Sequence, residues 1–334
     1  MSLQNMTKDC NKLAPSTVTI IGDVMLDTFV YGNTNRISPE APVPVVIVSK
    51  RINTLGGAGN VAANIVSIGG KAILIGRVGN DSAHKELSSI ANKLGVNTDN
   101  LIVSNVPTIS KTRIVSQGQQ IVRIDEDVTD ALDDDTRQKI LSSLKAARKQ
   151  TNVVIVSDYN KSVIDQQMFD DIKEIWTDGF IFVDPKVRKT IDYTGATLMT
   201  PNLKEAMELA ETETTANTDK EAEDIATSLV EKFKMRGILC TRAGDGMTLL
   251  ENNKFTHFKP LEKLEVRDVS GAGDTVISIL AAGTAAGLSM EDAVELCNIA
   301  GGLVVAKRGT ATISWPEIVD AMQHSDKYQP STFK

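Results

Sequence analysis

Histidine and cysteine are scarce in this 334-residue chain, three of each, and neither is spaced for chemistry. Cys10, Cys240 and Cys297 lie far apart, form no CxxC pair and belong to a chain large enough not to need covalent staples, so a reducing, cytoplasmic setting is expected. His84, His257 and His324 make no HxxxH or HExxH pair and have no cysteine beside them, which argues against a dedicated zinc site. Any metal is expected to arrive with a substrate. Long apolar runs are missing too. Met1 to Lys12 lacks the apolar stretch of a signal peptide, and Val276 to Leu288 is broken by Ser278, Gly283, Thr284 and Gly287, so a soluble, unprocessed protein is expected. Nor does one sign of charge dominate. The 36 basic and 43 acidic residues are interspersed, and a net charge of -7 leaves no basic footprint for nucleic acid or an anionic membrane surface. A small-molecule partner fits better.

What is present suits a large α/β core: 41% hydrophobic and 24% charged residues, with no repeat period. Thr17 to Ile21 is a short β-branched run that ends in Gly22-Asp23. Thr28 to Tyr31 and Val43 to Ser49 read as strands separated by Pro39, Pro42 and Pro44, which points to edge positions. Ile109 to Gln117 and Gln120 to Asp125 flank Gly118-Gln119 as a hairpin. Elsewhere strand and helix patterns alternate: Ala72 to Ile75 then Ser82 to Leu94, Val153 to Val156 then Asp165 to Trp176, Thr197 to Met199 then Asn202 to Leu209. Alternation of this kind predicts a parallel sheet covered on both faces. The expected division is a core of residues 14–27, 50–107 and 126–328, a β-lid of 28–49 and 108–125, and flexible tails at 1–13 and 329–334.

Ligands of such sheets bind at the carboxyl ends of the strands. The residues there are polar and glycine-rich: Gly22-Asp23, Asp158, Asp184-Pro185-Lys186, Thr200-Pro201-Asn202 and Thr241-Arg242-Ala243-Gly244. In Ser270-Gly271-Ala272-Gly273-Asp274-Thr275, two glycines precede a helix-forming stretch with a carboxylate in its first turn. Free N–H groups of a first helical turn can hold a phosphate, and an aspartate beside them can deprotonate an attacking hydroxyl. Asp274 could equally be an acid that complements the helix dipole. Gly56-Gly57-Ala58-Gly59-Asn60 contains Gly57-x-Gly59-x-x-Ala62, a loose dinucleotide fingerprint, and keeps a nicotinamide oxidoreductase open. Against it, polar residues separate the preceding strand from the glycines, and Gly76-Arg77 stands where an acidic residue should close the next strand. Asn202-Leu-Lys-Glu205 reads either as an ordinary helix cap or as part of a water-linked magnesium site. Walker A and the HRD and DFG signatures of protein kinases are absent.

Taken in order, Gly22-Asp23, Gly56-Gly57-x-Gly59-Asn60, Asn202-x-x-Glu205, Thr241-Arg242-x-Gly244 and Asp268-Val-Ser-Gly-Ala-Gly-Asp274-Thr275 resemble the ribokinase-like (PfkB) carbohydrate kinases, from about Thr17 to about Val319. Gly22-Asp-Val-Met-Leu-Asp27, Arg36-Ile-Ser-Pro-Glu-Ala-Pro-Val-Pro-Val45, Asp184-Pro-Lys186 and Gly309-Thr-Ala-Thr312 resemble that family's heptose 7-phosphate branch in particular. The resemblance implies a three-layer α/β/α sandwich with a mostly parallel central sheet and a small β-sheet lid that clasps a second subunit as a homodimer. It implies ATP and Mg2+ as cofactors, with a monovalent cation as a further candidate, and transfer of phosphate to the anomeric hydroxyl. Asp274 would be the base, and the N–H groups of Gly271, Ala272 and Gly273 the anion hole. Asn202 and Glu205 would organise magnesium through water. Thr241, Gly244, Gly246 and Asn298 would line the nucleotide, while Asp23, Asp27, Gly56, Gly57, Asn60 and Asp158 would hold the sugar. Arg113, Lys161 or Lys186 would meet the substrate's own phosphate, although Lys161 reads equally well as a solvated charge. The branch's bifunctional members carry an HxGH-type nucleotidyltransferase motif that this chain lacks, so a separate protein is expected to perform the later adenylyl transfer. Another sugar kinase and a non-catalytic sugar-binding regulator stay open.

Overall fold

A computed structural model describes residues 16–187, 191–212, 218–261, 265–307 and 309–323. The segments read as tails, together with Cys10 and His324, lie outside them. Thirteen strands are described: β1 (Thr17–Gly22), β2 (Val24–Ile37), β3 (Pro44–Gly57), β4 (Lys71–Gly79), β5 (Leu101–Ser104), β6 (Ile109–Ser116), β7 (Gln119–Glu126), β8 (Val153–Ser157), β9 (Phe180–Asp184), β10 (Leu198–Met199), β11 (Gly237–Thr241), β12 (Met247–Glu251) and β13 (Lys254–Phe258). Nine of them form one sheet in the order β13-β12-β11-β10-β9-β8-β1-β4-β5. It is parallel except where β12 turns back on β11 and β13 on β12.

Alternation along the strands sends side chains to two separate cores. Val153, Ile155 and Phe182 face one, built with helices Ala58–Ser67, Ala272–Ala285 and Met290–Val305. Val154, Val156, Ile181 and Val183 face the other, built with helices Asp134–Arg148, Gln166–Ile175 and Asp219–Phe233. Period-2 side-chain placement thus makes three layers, helix on sheet on helix.

The smaller sheet runs β3-β2-β6-β7. Its edges are β3, which opens on Pro44, and β7; the reading of Thr28 to Tyr31 as an edge strand does not hold. Those residues belong to the 14-residue β2, paired antiparallel to β3 and parallel to β6. The hairpin of β6 and β7 turns on Gln117 (φ 51°) and Gly118 (φ 80°), the left-handed pair that a two-residue turn between twisted strands demands.

Caps mark out the site. Helices Ser82–Lys93, Asp134–Arg148, Gln166–Ile175, Leu203–Ala210, Asp219–Phe233 and Met290–Val305 open with Asp81, Asp133, Asp165, Asn202, Thr218 and Ser289, each accepting from a backbone N–H in the first turn. Helices Ala58–Ser67 and Ala272–Ala285 open instead on Gly57 (φ 55°) and Gly271 (φ 80°), with no side-chain cap. The first of these helices is buried from Ala58 onward, whereas the second is buried only from Asp274 and leaves Gly273 exposed.

Candidate active site

Gly57 is dictated by space as well as by φ: a Cβ there would lie 2.2 Å from the Asp23 carbonyl oxygen, which accepts the Ala58 N–H at 3.0 Å. Gly271 is similar, since its Cβ would meet the Asn60 amide at 2.9 Å. The two glycine-opened helices are joined by buried polar contacts. Asn60 Nδ2 donates to Asp274 Oδ2 at 2.6 Å, Thr275 Oγ1 donates to Asn64 Oδ1 at 3.0 Å, and Ser278 Oγ donates to the Val61 carbonyl at 3.0 Å. These contacts explain why an otherwise apolar helix carries Thr275 and Ser278.

Asp274 is 4% exposed. Its other oxygen, Oδ1, accepts the hydroxyl of Tyr159 at 2.8 Å. Burial pushes its carboxyl up to about 6, while the Asn60 and Tyr159 hydrogen bonds pull it down and the nearby Asp27 charge adds to the rise. Such a group is mostly ionised at neutral pH yet basic enough to take a proton. The backbone beside it opens outward: a Cβ built at Gly273 meets nothing within 4 Å. The Ala272 N–H is already bonded to the Val269 carbonyl at 3.3 Å, a long contact that an anion could replace. Asp268 braces this turn, accepting from the N–H groups of Ser270 at 2.9 Å and Gly309 at 3.0 Å. Burial opposes its ionisation, but those donors and the Arg113 charge hold its carboxyl below the ordinary value.

Asp27 is buried on β2, against Gly56 of β3. Arg113, from the adjacent β6, pairs with it at 2.6 Å and lies over the Phe29 ring at 5.2 Å. This puts a cation where the smaller sheet meets the core. Lys161 pairs with Asp127 at 2.5 Å. Lys186 is elsewhere: its ammonium lies 3.7 Å from Glu205 Oε1. The chain after β9 carries Lys186 to the Asn202–Glu205 end of the site, while Arg113 stands beside Asp27.

Asn202 and Glu205 form a reciprocal capping box, each side chain accepting the other's backbone N–H at 3.0 Å. The ordinary cap is therefore present, and Glu205 Oε1 is left facing Lys186. Asn202 is bridged to Thr241, and the turn Ala243–Asp245 follows, with the Gly246 N–H bonded to the Ala243 carbonyl at 3.2 Å. Asn202, Thr241, Gly244 and Gly246 thus sit together at the ends of β10 and β11. Asn298 donates to the Lys259 carbonyl at 2.6 Å and anchors the chain beyond β13. Asp184, at the end of β9, has its carboxyl pushed well above the ordinary value by loss of water and by the charges of Asp274, Glu205 and Asp158, with Lys186 opposing. Among the described residues no group of three or more His, Cys, Asp or Glu side chains is placed to hold a metal unaided.

Two expected sugar ligands already bond within the protein. Asp158 is 2% exposed and accepts from the Tyr193 hydroxyl and the Asn160 N–H. Asp23 is 0% exposed and accepts three backbone N–H groups, from Tyr159 at 2.8 Å, Lys161 at 3.0 Å and Val163 at 3.2 Å. Burial and the Asp158 charge lift its carboxyl to about 6 against those donors. Tyr159 escaped the sequence reading, which stopped at Asp158; its place directly after β8 was the available signal.

The dinucleotide reading of Gly57-x-Gly59 fails on context. The strand before it, β3, belongs to the smaller sheet and runs antiparallel to β2, whereas that fingerprint needs a parallel strand–helix–strand unit. A buried carboxylate at an uncapped helix start, in a three-layer fold with its polar residues at the strand ends, is an arrangement that suits a phosphate-transferring class of enzyme. The sequence profile of the pfkB family carbohydrate kinases matches residues 16–318, and the chain belongs to that family. It is 42% identical over 308 residues to the bifunctional protein HldE of Vibrio parahaemolyticus serotype O3:K6 (strain RIMD 2210633), covering 92% of this chain and 64% of that one. Likewise it is 40% identical over 315 residues to the bifunctional protein HldE of Aliivibrio fischeri (strain MJ11), covering 93% and 64%. The chain therefore spans 64% of the length of these curated relatives. The fold is shared with phosphofructokinase-2 from Escherichia coli in complex with potassium (TM-score 0.76, 16% identity, covering 93% of this chain and 99% of that one). It is shared also with ribokinase from Arabidopsis thaliana complexed with ribose and ATP (TM-score 0.70, 18% identity, covering 92% and 99%). The expected ribokinase-like fold is thus present. No helix among the described residues is long and apolar enough to cross a membrane.

Proposed function

We propose that this chain transfers the γ-phosphoryl group of ATP to the anomeric hydroxyl of D-glycero-β-D-manno-heptose 7-phosphate, releasing the 1,7-bisphosphate and ADP, as a step in ADP-heptose synthesis. The observation that carries the chemistry is Asp274: a buried carboxyl near pH 6, at the start of a helix opened by Gly271. It takes the hydroxyl proton as the oxygen attacks phosphorus, and the bond to the ADP oxygen breaks. N–H groups of Gly271, Ala272 and Gly273 stabilise the charge spread over the transferred group. The sugar is supported by the likeness of Gly22 to Asp27 and Arg36 to Val45 to heptose-phosphate kinases, and by the HldE relatives.

In this reading Asp27, Gly56, Gly57 and Asn60 hold the sugar, and Arg113 meets its 7-phosphate. Asn202, Glu205, Thr241, Gly244, Gly246 and Asn298 line the nucleotide, joined by Lys186. The crowding of Asp184, Glu205 and Asp274 is a like-charge cluster that a divalent cation relieves, so Asp184, Glu205 and Asn202 fit a magnesium that would neutralise phosphate charge. The smaller sheet is the lid. Its exposed Ile37, Val43, Ile47, Val48, Ile121, Val122 and Ile124 suit a second copy of the same chain, which would cover the apolar residues of both edge strands.

The test is ADP release across a panel of sugars and sugar phosphates. Preference for the heptose 7-phosphate supports the reading. Equal or better turnover of hexoses or hexose 6-phosphates overturns the substrate while leaving the sugar-kinase family in place.

A further inference from the structure

Tyr159 touches the base, and no role assigned so far uses it. Its hydroxyl donates to Asp274 Oδ1 at 2.8 Å while Asn60 donates to Oδ2 at 2.6 Å, so the carboxylate is gripped at both oxygens by neutral donors. Loss of water and the charges of Asp274 and Asp184 push the phenol well above its ordinary value, which keeps it a donor. The loop carrying it is unusual. Asn160 (φ 57°) and Ser162 (φ 73°) both lie in the left-handed region without being glycine, a conformation that persists only when surrounding contacts impose it. The contacts are those of Asp23, whose carboxylate accepts the N–H groups of Tyr159, Lys161 and Val163 from a position with no exposure to solvent. Arg77 adds a side-chain bond to the Lys161 carbonyl at 3.4 Å from the neighbouring β4.

We propose that Tyr159 is a positioning residue for the phosphoryl-transfer base: Asp23 shapes the loop 159–163, the loop places the Tyr159 hydroxyl, and that hydroxyl, with Asn60, fixes the orientation of the Asp274 carboxylate toward the sugar. The proposal rests on the reading of Asp274 as the base. It also gives Asp23 a function other than binding sugar. The charged groups facing Asp274 are Asp27 on β2, itself paired with Arg113, and Asp184 at the end of β9; neither approaches the carboxylate as a hydrogen-bond donor.

Tyr159→Phe removes one oxygen and nothing else. The hydroxyl stabilises the ionised carboxylate, so its removal must raise the pKa of Asp274. Carbon-13 NMR of the free protein, with the Asp274 carboxyl signal assigned by its loss in Asp274→Asn, should show the titration midpoint rise by about one pH unit. The acid limb of kcat should move up equally, kcat at neutral pH should fall by roughly tenfold or more, and the KM for ATP should hold. Asp23→Asn, which leaves a single acceptor oxygen for three N–H groups, should move the midpoint in the same direction. An unmoved Asp274 midpoint in a folded Tyr159→Phe protein overturns the proposal, whatever Asp23→Asn does. The functional reading fails separately, if the unmodified protein releases no ADP with any sugar.

Discussion

On the proposal that Asp274 is the base, lowering the pH from 7 to 5 should cut the turnover of this kinase by about tenfold, because a carboxyl raised to about 6 falls from about nine-tenths ionised to about one-tenth over that range. An aspartate at its ordinary value of 3.8 would lose less than about a tenth of its ionisation over the same interval. The sign follows from the causes: burial disfavours the charged form, and neither hydrogen bond to Asp274 comes from a charged donor. Phosphates of the substrates titrate near 6 as well, so one profile is not enough. Asp27→Asn supplies the control. It removes the like charge that raises Asp274 and releases Arg113, both of which favour ionised Asp274, while substrate titration is unchanged. The acid limb of kcat at saturating substrates should therefore move to lower pH in Asp27→Asn, opposite to the shift expected for Tyr159→Phe. Limbs that coincide in Asp27→Asn and the unmodified protein, or an unmodified limb below pH 5, would refute this electrostatic account.

Arg113→Ala should raise the KM for the sugar phosphate several-fold with little change for ATP, since Arg113 stands on β6 beside Asp27, and an unchanged sugar-phosphate KM would remove it from the pocket. Lys186→Ala should do the reverse, raising the KM for ATP, because its partner is Glu205; steady-state kinetics in both substrates decides. Ile47→Lys with Ile124→Lys, on strands that expose these side chains by 57% and 51%, should convert a dimer into a monomer in light scattering. A monomeric mass for the unmodified protein contradicts that interface.

Local signals were legible wherever the chain's own neighbours decide the outcome. Continuous apolar runs such as Val153 to Val156 and the Gly118 turn gave strands and a hairpin in their observed places, since a short β-branched run and a left-handed turn are properties of a few adjacent residues. β2 was read too short because Gly32 to Arg36 is polar and breaks the pattern. Its backbone pairs all the same, by twisting against β3 through two register shifts. The Gly271 to Asp274 turn was visible as a motif, but its partners were not: Asn60 lies 214 positions away and Tyr159 lies 115 away. Asp23 follows a strand end, and only the fold shows its oxygens accepting three N–H groups of the 159–163 loop. Lys186 is placed by sheet order, with β9 beside β10 and the Asn202 helix start.

Asp274→Asn keeps the shape of the side chain and one acceptor oxygen but cannot take the proton. ADP release with heptose 7-phosphate and magnesium-ATP, measured alongside ATP binding, therefore tests the central claim most directly. Turnover should fall by about two to four orders of magnitude with ATP affinity held within a few-fold. A variant that turns over at near the unmodified rate would show that Asp274 is not the base.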